Sequence, residues 1–192
     1  MTDLRRNREQ GWRVGEGMNR FIRSAAALAL AALTVTTASA ELKGGDKAPL
    51  FTTRAALAGK EFGFNLQAAL AKGPVVLYFY PKAFTQGCTL EANAFAEAMP
   101  QFKAAGATVI GMSADDIETL GRFSREHCRD AFPVGVATAQ IGKAYDVTGP
   151  SGLTRRTSYV IARDGRIVAV HSNADYRGHV ATTLAAVRAL KR

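Results

Sequence analysis

Val75-Val76-Leu77-Tyr78-Phe79-Tyr80-Pro81-Lys82-Ala83-Phe84-Thr85-Gln86-Gly87-Cys88 is the stretch whose reading decides the fold. Its first six residues are apolar without alternation, which marks a central strand covered on both faces. Pro81 stops the strand, because proline cannot donate to a ladder. A short turn follows, and residues 89–105 read as an amphipathic helix. Ala92, Phe95, Ala96, Met99 and Phe102 fall on one stripe of that helix, the side that packs on a core. Cys88 therefore sits in the first turn. Unpaired backbone N–H groups and the helix dipole favour an anion there, which is where a thiol is expected to act as a thiolate.

Working outward, Gly106 breaks the helix and residues 108–112 form a second core strand. Ser113-Ala114-Asp115-Asp116 caps a helix over 117–128, with its acidic residues at the positive end. A third strand over 132–136 and a short helix over 139–145 follow. Strands over 157–162 and 167–171 are joined across Arg163-Asp164-Gly165-Arg166, with glycine where a hairpin needs positive φ. A last helix covers 179–190. Upstream, residues 42–51 are a loop leading into an edge segment, Phe62 and Phe64 mark a short strand, and residues 66–71 form a brief helix stopped by Lys72-Gly73-Pro74. This order predicts an α/β fold, a central mixed β-sheet with helices on both faces.

The 192 residues have room for one domain with a proper core. A hydrophobic content of 47% against 21% charged residues excludes a disordered chain. The front of the chain differs in kind. Met18-Asn19-Arg20-Phe21-Ile22-Arg23 is basic, residues 24–35 are Ala/Leu-rich, and Ala38-Ser39-Ala40 has the small-x-small form of a signal-peptidase site. That order describes a secretory signal. Residues 1–40 are thus expected to be an N-terminal extension plus signal peptide, and 41–192 the folded domain, exported to the periplasm or outside after cleavage near Ala40. Residues 1–17 fit neither role, and Met18 is itself an ordinary start for such a signal. No run is long enough for a permanent membrane anchor. Beyond residue 40, 19 basic and 13 acidic residues leave a scattered net charge of +6. With no basic block, nucleic-acid binding is not expected.

Cleaving a peroxide with a thiol requires a thiolate, donors that hold the O–O group, a fixed cation near sulfur, and shielding from water. Cys88 supplies the thiolate. Thr85 can aim its hydroxyl at the same pocket, or only cap the helix. Pro81 fixes the strand end and can cover the sulfur. Arg156 enters the strand at 157 and reaches Cys88 if that strand flanks the one at 75–80; it and its neighbour Arg155 point to opposite faces, so one of the pair is only solvated. Glu91, one helical turn after Cys88, can hold the guanidinium through two hydrogen bonds, or merely complement the dipole. Phe79, Phe84 and Tyr145 are candidates for an apolar collar, with core packing the competing role for Phe79.

Pro81, Thr85, Cys88, Thr89 and Glu91 reproduce the P-x-x-x-T-x-x-C-T-x-E signature, and the chain here resembles the peroxiredoxins. Tyr78-Phe79-Tyr80-Pro81-Lys82 with Thr85-Gln86-Gly87-Cys88-Thr89 looks most like the bacterioferritin-comigratory, or Q-type, branch of the AhpC/TSA superfamily. The resemblance runs from Gly44-Asp46-Ala48-Pro49 through Arg156-Thr157-Ser158-Tyr159 to the Asp164-Gly165 turn. It implies a thioredoxin-like fold and a thiol-dependent peroxidase acting on hydrogen peroxide and organic hydroperoxides. It further implies Cys88 as peroxidatic cysteine, Thr85 and Arg156 as activating partners, Pro81 as shield, a thioredoxin-like or other thiol reductant, no cofactor, and a monomer.

The chain also departs from that pattern. Many Q-type relatives carry a second cysteine five residues after the first, and here that position is Asn93. Cys128 is the remaining thiol. Relatives that resolve from the helix at 117–128 align their cysteine with Ser124, and Cys128 lies one turn further on. It is either the resolving cysteine in a shifted register or a small apolar residue at a helix end. In the second case the enzyme is of the one-cysteine kind. His127 beside it either raises its thiolate fraction or is simply solvated. His171 and His179 have no acidic or cysteine companions at metal-ligand spacing, so no metal is predicted. A thioredoxin-type oxidoreductase needs a C-x-x-C pair and position 85 is threonine. A copper carrier needs a second nearby cysteine.

Overall fold

The fold grows from the strand Val75–Phe79, here β3, every residue of which is buried. Its side chains alternate between two cores. Val76 and Tyr78, continued by Tyr80, enter one apolar cluster, while Val75, Leu77 and Phe79 enter the other. That division is why the stretch carries no polar face. The computed structural model describes residues 42–149 and 151–190; the signal segment and the cleavage site expected within residues 1–40 lie outside them.

In chain order the elements are β1 (Thr52–Leu57), β2 (Lys60–Asn65), α1 (Leu66–Lys72), β3, α2 (Gln86–Ala104), β4 (Thr108–Ser113), α3 (Ile117–Glu126), β5 (Val134–Val136), α4 (Ala139–Ala144), β6 (Thr157–Ile161), β7 (Ile167–Ser172) and α5 (His179–Ala189). They build one sheet of seven strands in the order β2-β1-β5-β4-β3-β6-β7. The pairs β3–β4 and β4–β5 are parallel and the others antiparallel, so the sheet is mixed. The thioredoxin-like α/β architecture read from the sequence is the architecture observed.

Two elements differ from the expectation. The edge segment after residue 51 is a full strand, β1, joined to β2 by the two-residue turn Ala58-Gly59 with both φ positive, at 52° and 73°. Its sequence, Thr-Thr-Arg-Ala-Ala-Leu, has few β-branched or aromatic residues, so propensity alone does not reveal it. The helix expected to reach residue 128 ends at Glu126 with His127 as its cap. Cys128 therefore lies in the turn beyond α3, its N–H donating to Phe123 O at 3.1 Å, and Arg129 and Asp130 adopt left-handed φ of 53° and 57°.

One packing contact tests how tightly this core is built. Tyr78 is stacked on Phe95 with ring centroids 4.3 Å apart, and a Cβ at Gly111 would lie 2.7 Å from Tyr78 Cζ. The ring has nowhere to retreat, so Gly111→Ala is expected to lower stability by about 1–3 kcal/mol in urea denaturation.

Candidate active site

The C-terminal end of β3 is where strand, turn and helix meet. Thr154, fully inside, donates its hydroxyl to Tyr80 O at 2.6 Å, and Tyr80 N–H continues the ladder to Met112 O at 3.0 Å. Pro81 follows, half-buried. The turn is then pinned by Asp115: Ala83 N–H and the Ser113 hydroxyl both donate to its Oδ2, at 2.8 and 2.7 Å. Phe84 takes a positive φ of 63°, and its ring packs edge-on against Phe123 and His127 of α3, with the Arg122 guanidinium 5.3 Å above it. Thr85 is the N-cap of α2. Its hydroxyl donates back to Lys82 O at 2.9 Å, steadying the turn rather than capping a helix N–H.

Cys88 is the third residue of α2 and is 2% exposed. Arg156 reaches it from the neighbouring strand. β6 pairs antiparallel with β3, with Thr157 opposite Phe79, so the residue preceding Thr157 stands beside the strand end from which the Cys88 turn departs. Arg156 Nη2 donates to Cys88 Sγ at 3.4 Å, Nη1 donates to Glu91 Oε2, and Nε donates to Ala174 O at 3.0 Å. Glu91 shares the buried stripe of α2 with Cys88, three residues on, and both Arg156 and Glu91 are buried. Arg155 turns the other way, to Asp146 at the surface.

Burial and charge set the proton affinities. Desolvation raises Glu91 to about 7, against the opposing pull of Arg156. Burial works against the charge on Arg156, but Glu91 and Cys88 outweigh it and raise its pKa. Geometry thus places one buried carboxyl and one buried thiol on a single guanidinium.

Cys128 is fully buried in the same apolar cluster as Cys88, and the two thiols are unbonded. Burial, with a smaller push from Asp130, drives its pKa far above the ordinary thiol range, so it is a neutral thiol in this conformation. Ser124, one helical turn before Cys128, is also buried; its hydroxyl accepts from Gly59 N–H at 2.9 Å and donates to Gly121 O at 2.8 Å. His127 is half-buried between Phe84 and Phe123 and is not simply solvated. Of the expected collar only Phe84 lies near the turn. Phe79 and Tyr145 pack in the cluster on the opposite face from Cys88, with Tyr145 donating to Pro49 O at 2.8 Å.

His179, which has no acidic or cysteine companion at metal-ligand spacing in the sequence, stands beside this constellation. It is fully buried at the start of α5, with Nδ1 3.7 Å from Glu91 Oε1. The signal that would have found it is the spacing of His179, Thr183 and Val187, which places the histidine on the buried stripe of its helix. Among the described residues, no group of three or more His, Cys, Asp or Glu side chains is placed to hold a metal.

Residues 44–170 match the model of the AhpC/TSA family. The chain is 33% identical over 137 residues to peroxiredoxin Q of the Suaeda salsa chloroplast, covering 70% of this chain and 62% of that protein. Among solved structures it is similar to the peroxidoxin BcpB of Mycobacterium tuberculosis, with a TM-score of 0.72 and 30% identity over 79% of this chain and 100% of that one. It is also similar to the bacterioferritin comigratory protein of Xanthomonas campestris, described for its alkyl peroxide reduction activity. That match has a TM-score of 0.64 and 28% identity over 72% of this chain and 92% of that one.

The raised Glu91 carboxyl makes stability depend on pH in a defined direction. Between its ordinary value near 4.5 and about 7 the folded state keeps a proton that the unfolded state has lost, so stability falls as pH rises through that window and is flat above it. Glu91→Gln is expected to abolish this fall, which is on the order of 3 kcal/mol at most, in urea midpoints measured from pH 5 to 8.

Proposed function

Since the chain belongs to the AhpC/TSA family and is a thiol-dependent peroxidase, we propose that Cys88 is the sulfur that attacks the peroxide. The observation that carries this reading is the Arg156 guanidinium on Cys88 Sγ at 3.4 Å, inside a buried site at a helix N-terminus. The cation and the dipole both favour the thiolate. The thiolate attacks the distal oxygen of ROOH, forming an S–O bond and breaking O–O. Sulfur is oxidised by two electrons, the departing RO⁻ takes a proton, and the products are Cys88 sulfenic acid and ROH. Hydrogen peroxide and organic hydroperoxides fit this chemistry equally. Arg156 stabilises the charge passing to the leaving oxygen, Pro81 shields the sulfur, and Thr85 turns its hydroxyl from Lys82 O to the bound peroxide.

Cys128 resolves the sulfenic acid in this scheme. Its thiol sulfur displaces water from Cys88, leaving an intramolecular disulfide that a thioredoxin-like or other dithiol reduces. The support is spatial: α3, which leads into Cys128, already packs on the Cys88 turn through Phe123, His127 and Phe84. The sulfurs meet only after the first turn of α2 unwinds. A one-cysteine cycle is the second reading, favoured by the complete burial of the Cys128 thiol. Mass spectrometry after one equivalent of peroxide separates them. A Cys88–Cys128 crosslink, absent in Cys128→Ser, is the expected result, with Cys88→Ser inactive; sulfenic acid persisting on Cys88 of the unaltered protein overturns the two-cysteine cycle.

The reading extends to the cell. Residues 1–40 act as an extension and secretory signal ahead of a peroxidase domain over 41–192, which works as a monomer in the periplasm or outside the cell. The support is the basic, apolar, small-residue order ending at Ala40 and a family match that begins at residue 44. N-terminal sequencing of the protein recovered from an expressing bacterium is expected to begin at Glu41; a cytoplasmic product that keeps the Ala/Leu-rich run removes the export proposal.

A further inference from the structure

Arg156 is held from three sides, and the third is a loop. Nη1 and Nη2 engage Glu91 and Cys88 on α2, while Nε donates to Ala174 O at 3.0 Å. Ala174 lies in the segment 173–178 between β7 and α5, most of whose residues are exposed. Little apolar burial fixes such a segment, so its hydrogen bonds decide where the Ala174 carbonyl points. Some of them run within it: Asp175 N–H donates to Asn173 Oδ1 at 2.9 Å, and Arg177 N–H to Asp175 Oδ1 at 3.0 Å. Those fix the shape of the loop and not its place. Its place is set by the bonds that leave it, to Arg156 and to His179. Asn173 N–H donates to Arg156 O at 3.2 Å, His179 N–H donates to Tyr176 O at 3.4 Å, and His179 Nε2 stands 3.1 Å from Asn173 O.

The His179 ring is itself fixed. A carbonyl only accepts, so Nε2 carries the ring hydrogen and donates to Asn173 O. The Nδ1 lone pair takes the Ser158 hydroxyl at 2.8 Å. Glu91 Oε1, 3.7 Å from Nδ1, is beyond hydrogen-bond reach. Ser158 belongs to β6 and follows Arg156 by two residues, a spacing that sends both side chains to one face of the sheet. His171 of β7 packs edge-on against the fully buried His179 ring, with centroids 4.5 Å apart. We propose that His179 is a positioning residue of the peroxidase site: it ties Asn173 O to β6, and so places the adjoining Ala174 carbonyl that orients Arg156 on Cys88. This deepens the reading of Cys88 as the reacting sulfur and rests on it. Without the Nε2 donor, Asn173 O loses its partner, Ala174 O moves off Nε, and the guanidinium turns with one restraint fewer. Its hold on the Cys88 sulfur then weakens, because a charge-assisted hydrogen bond depends on the aim of the donor.

Two amides separate the bonds of the ring. In His179→Gln the amide nitrogen falls where Nε2 stood and keeps the bond to Asn173 O. In His179→Asn the shorter amide falls near Nδ1, keeps the Ser158 hydroxyl and loses Asn173 O. The readout is the thiolate absorbance of Cys88 titrated against pH in the full chain, each trace corrected with the matching Cys88→Ser protein. His179→Asn is expected to raise the pH of half-ionisation by about 1, a tenfold loss of thiolate below the midpoint, and His179→Gln to bring it back to that of the unaltered protein. In an Arg156→Met background neither change at His179 is expected to move it. No shift in His179→Asn, an equal shift in both amide variants, or the same shift with and without Arg156 overturns the proposal. Should the variants fail to fold, ¹⁵N-labelled histidine in the unaltered protein decides: a His179 ring protonated at Nε2 supports it, and one protonated at Nδ1 overturns it. The reading of Cys88 fails separately, when peroxide leaves that sulfur unmodified in the unaltered protein.

Discussion

A single buried guanidinium organises this molecule. Arg156 touches a sulfur and a carboxylate that lie three residues apart on α2, and it does so from a strand 68 residues away in sequence from Cys88. An arginine with its side chain 7% exposed is tolerated where each of its nitrogens has a partner. Nε, Nη1 and Nη2 find theirs in Ala174 O, Glu91 and Cys88. The β3–β6 register and the direction in which α2 leaves the sheet are both constrained by that one group. A shift of β6 by one residue would put Arg155 inside and Arg156 in water.

The turn between β3 and α2 is held with comparable economy. Its carbonyl and N–H groups are engaged by Thr154 and Asp115, and its one exposed aromatic ring, Phe84, is clasped by α3. No residue of the turn has to be ordered by substrate before the sulfur is in place. This separates the two demands on the site: the scaffold fixes the charge, and the first turn of α2, whose leading N–H groups have no intrahelical partner, remains the part that can unwind at least expense.

How much of this was legible in the sequence varies from residue to residue, for physical reasons. The central strand, the following helix and the turn that holds Cys88 were legible because their determinants are local: an apolar run, a proline and a 3.6-residue stripe. Arg156 and Glu91 were nameable as candidates, and the resemblance to peroxiredoxins chose between Arg155 and Arg156, but only strand pairing brings Arg156 to the sulfur. β1 was missed because its Ala-rich sequence gains its strand character from pairing on both sides. The end of α3 was overrun by two residues because the left-handed Arg129 and Asp130 carry no glycine to announce the turn. His179 escaped because its partners come from α2, β6 and β7, a neighbourhood created by tertiary structure alone.

On the two-cysteine reading, burial of both thiols is part of the chemistry rather than an obstacle to it. In the proposed cycle the sulfur that meets the peroxide is a thiolate paired with the guanidinium that already touches it. Sulfenic acid is neutral, so oxidation removes the larger share of that attraction while the rest of the packing is unchanged. The contact given up when the first turn of α2 unwinds is then weaker than it was before the peroxide arrived, and Thr89 N–H to Thr85 O, at 2.9 Å, is among the backbone bonds released there. Cys128, kept as a neutral thiol by its apolar surroundings, does not compete for the peroxide and becomes nucleophilic only when solvent and the opened turn reach it. In the proposed two-cysteine cycle, order would follow from charge: the sulfur beside the cation reacts first, and losing its charge frees it to meet the second.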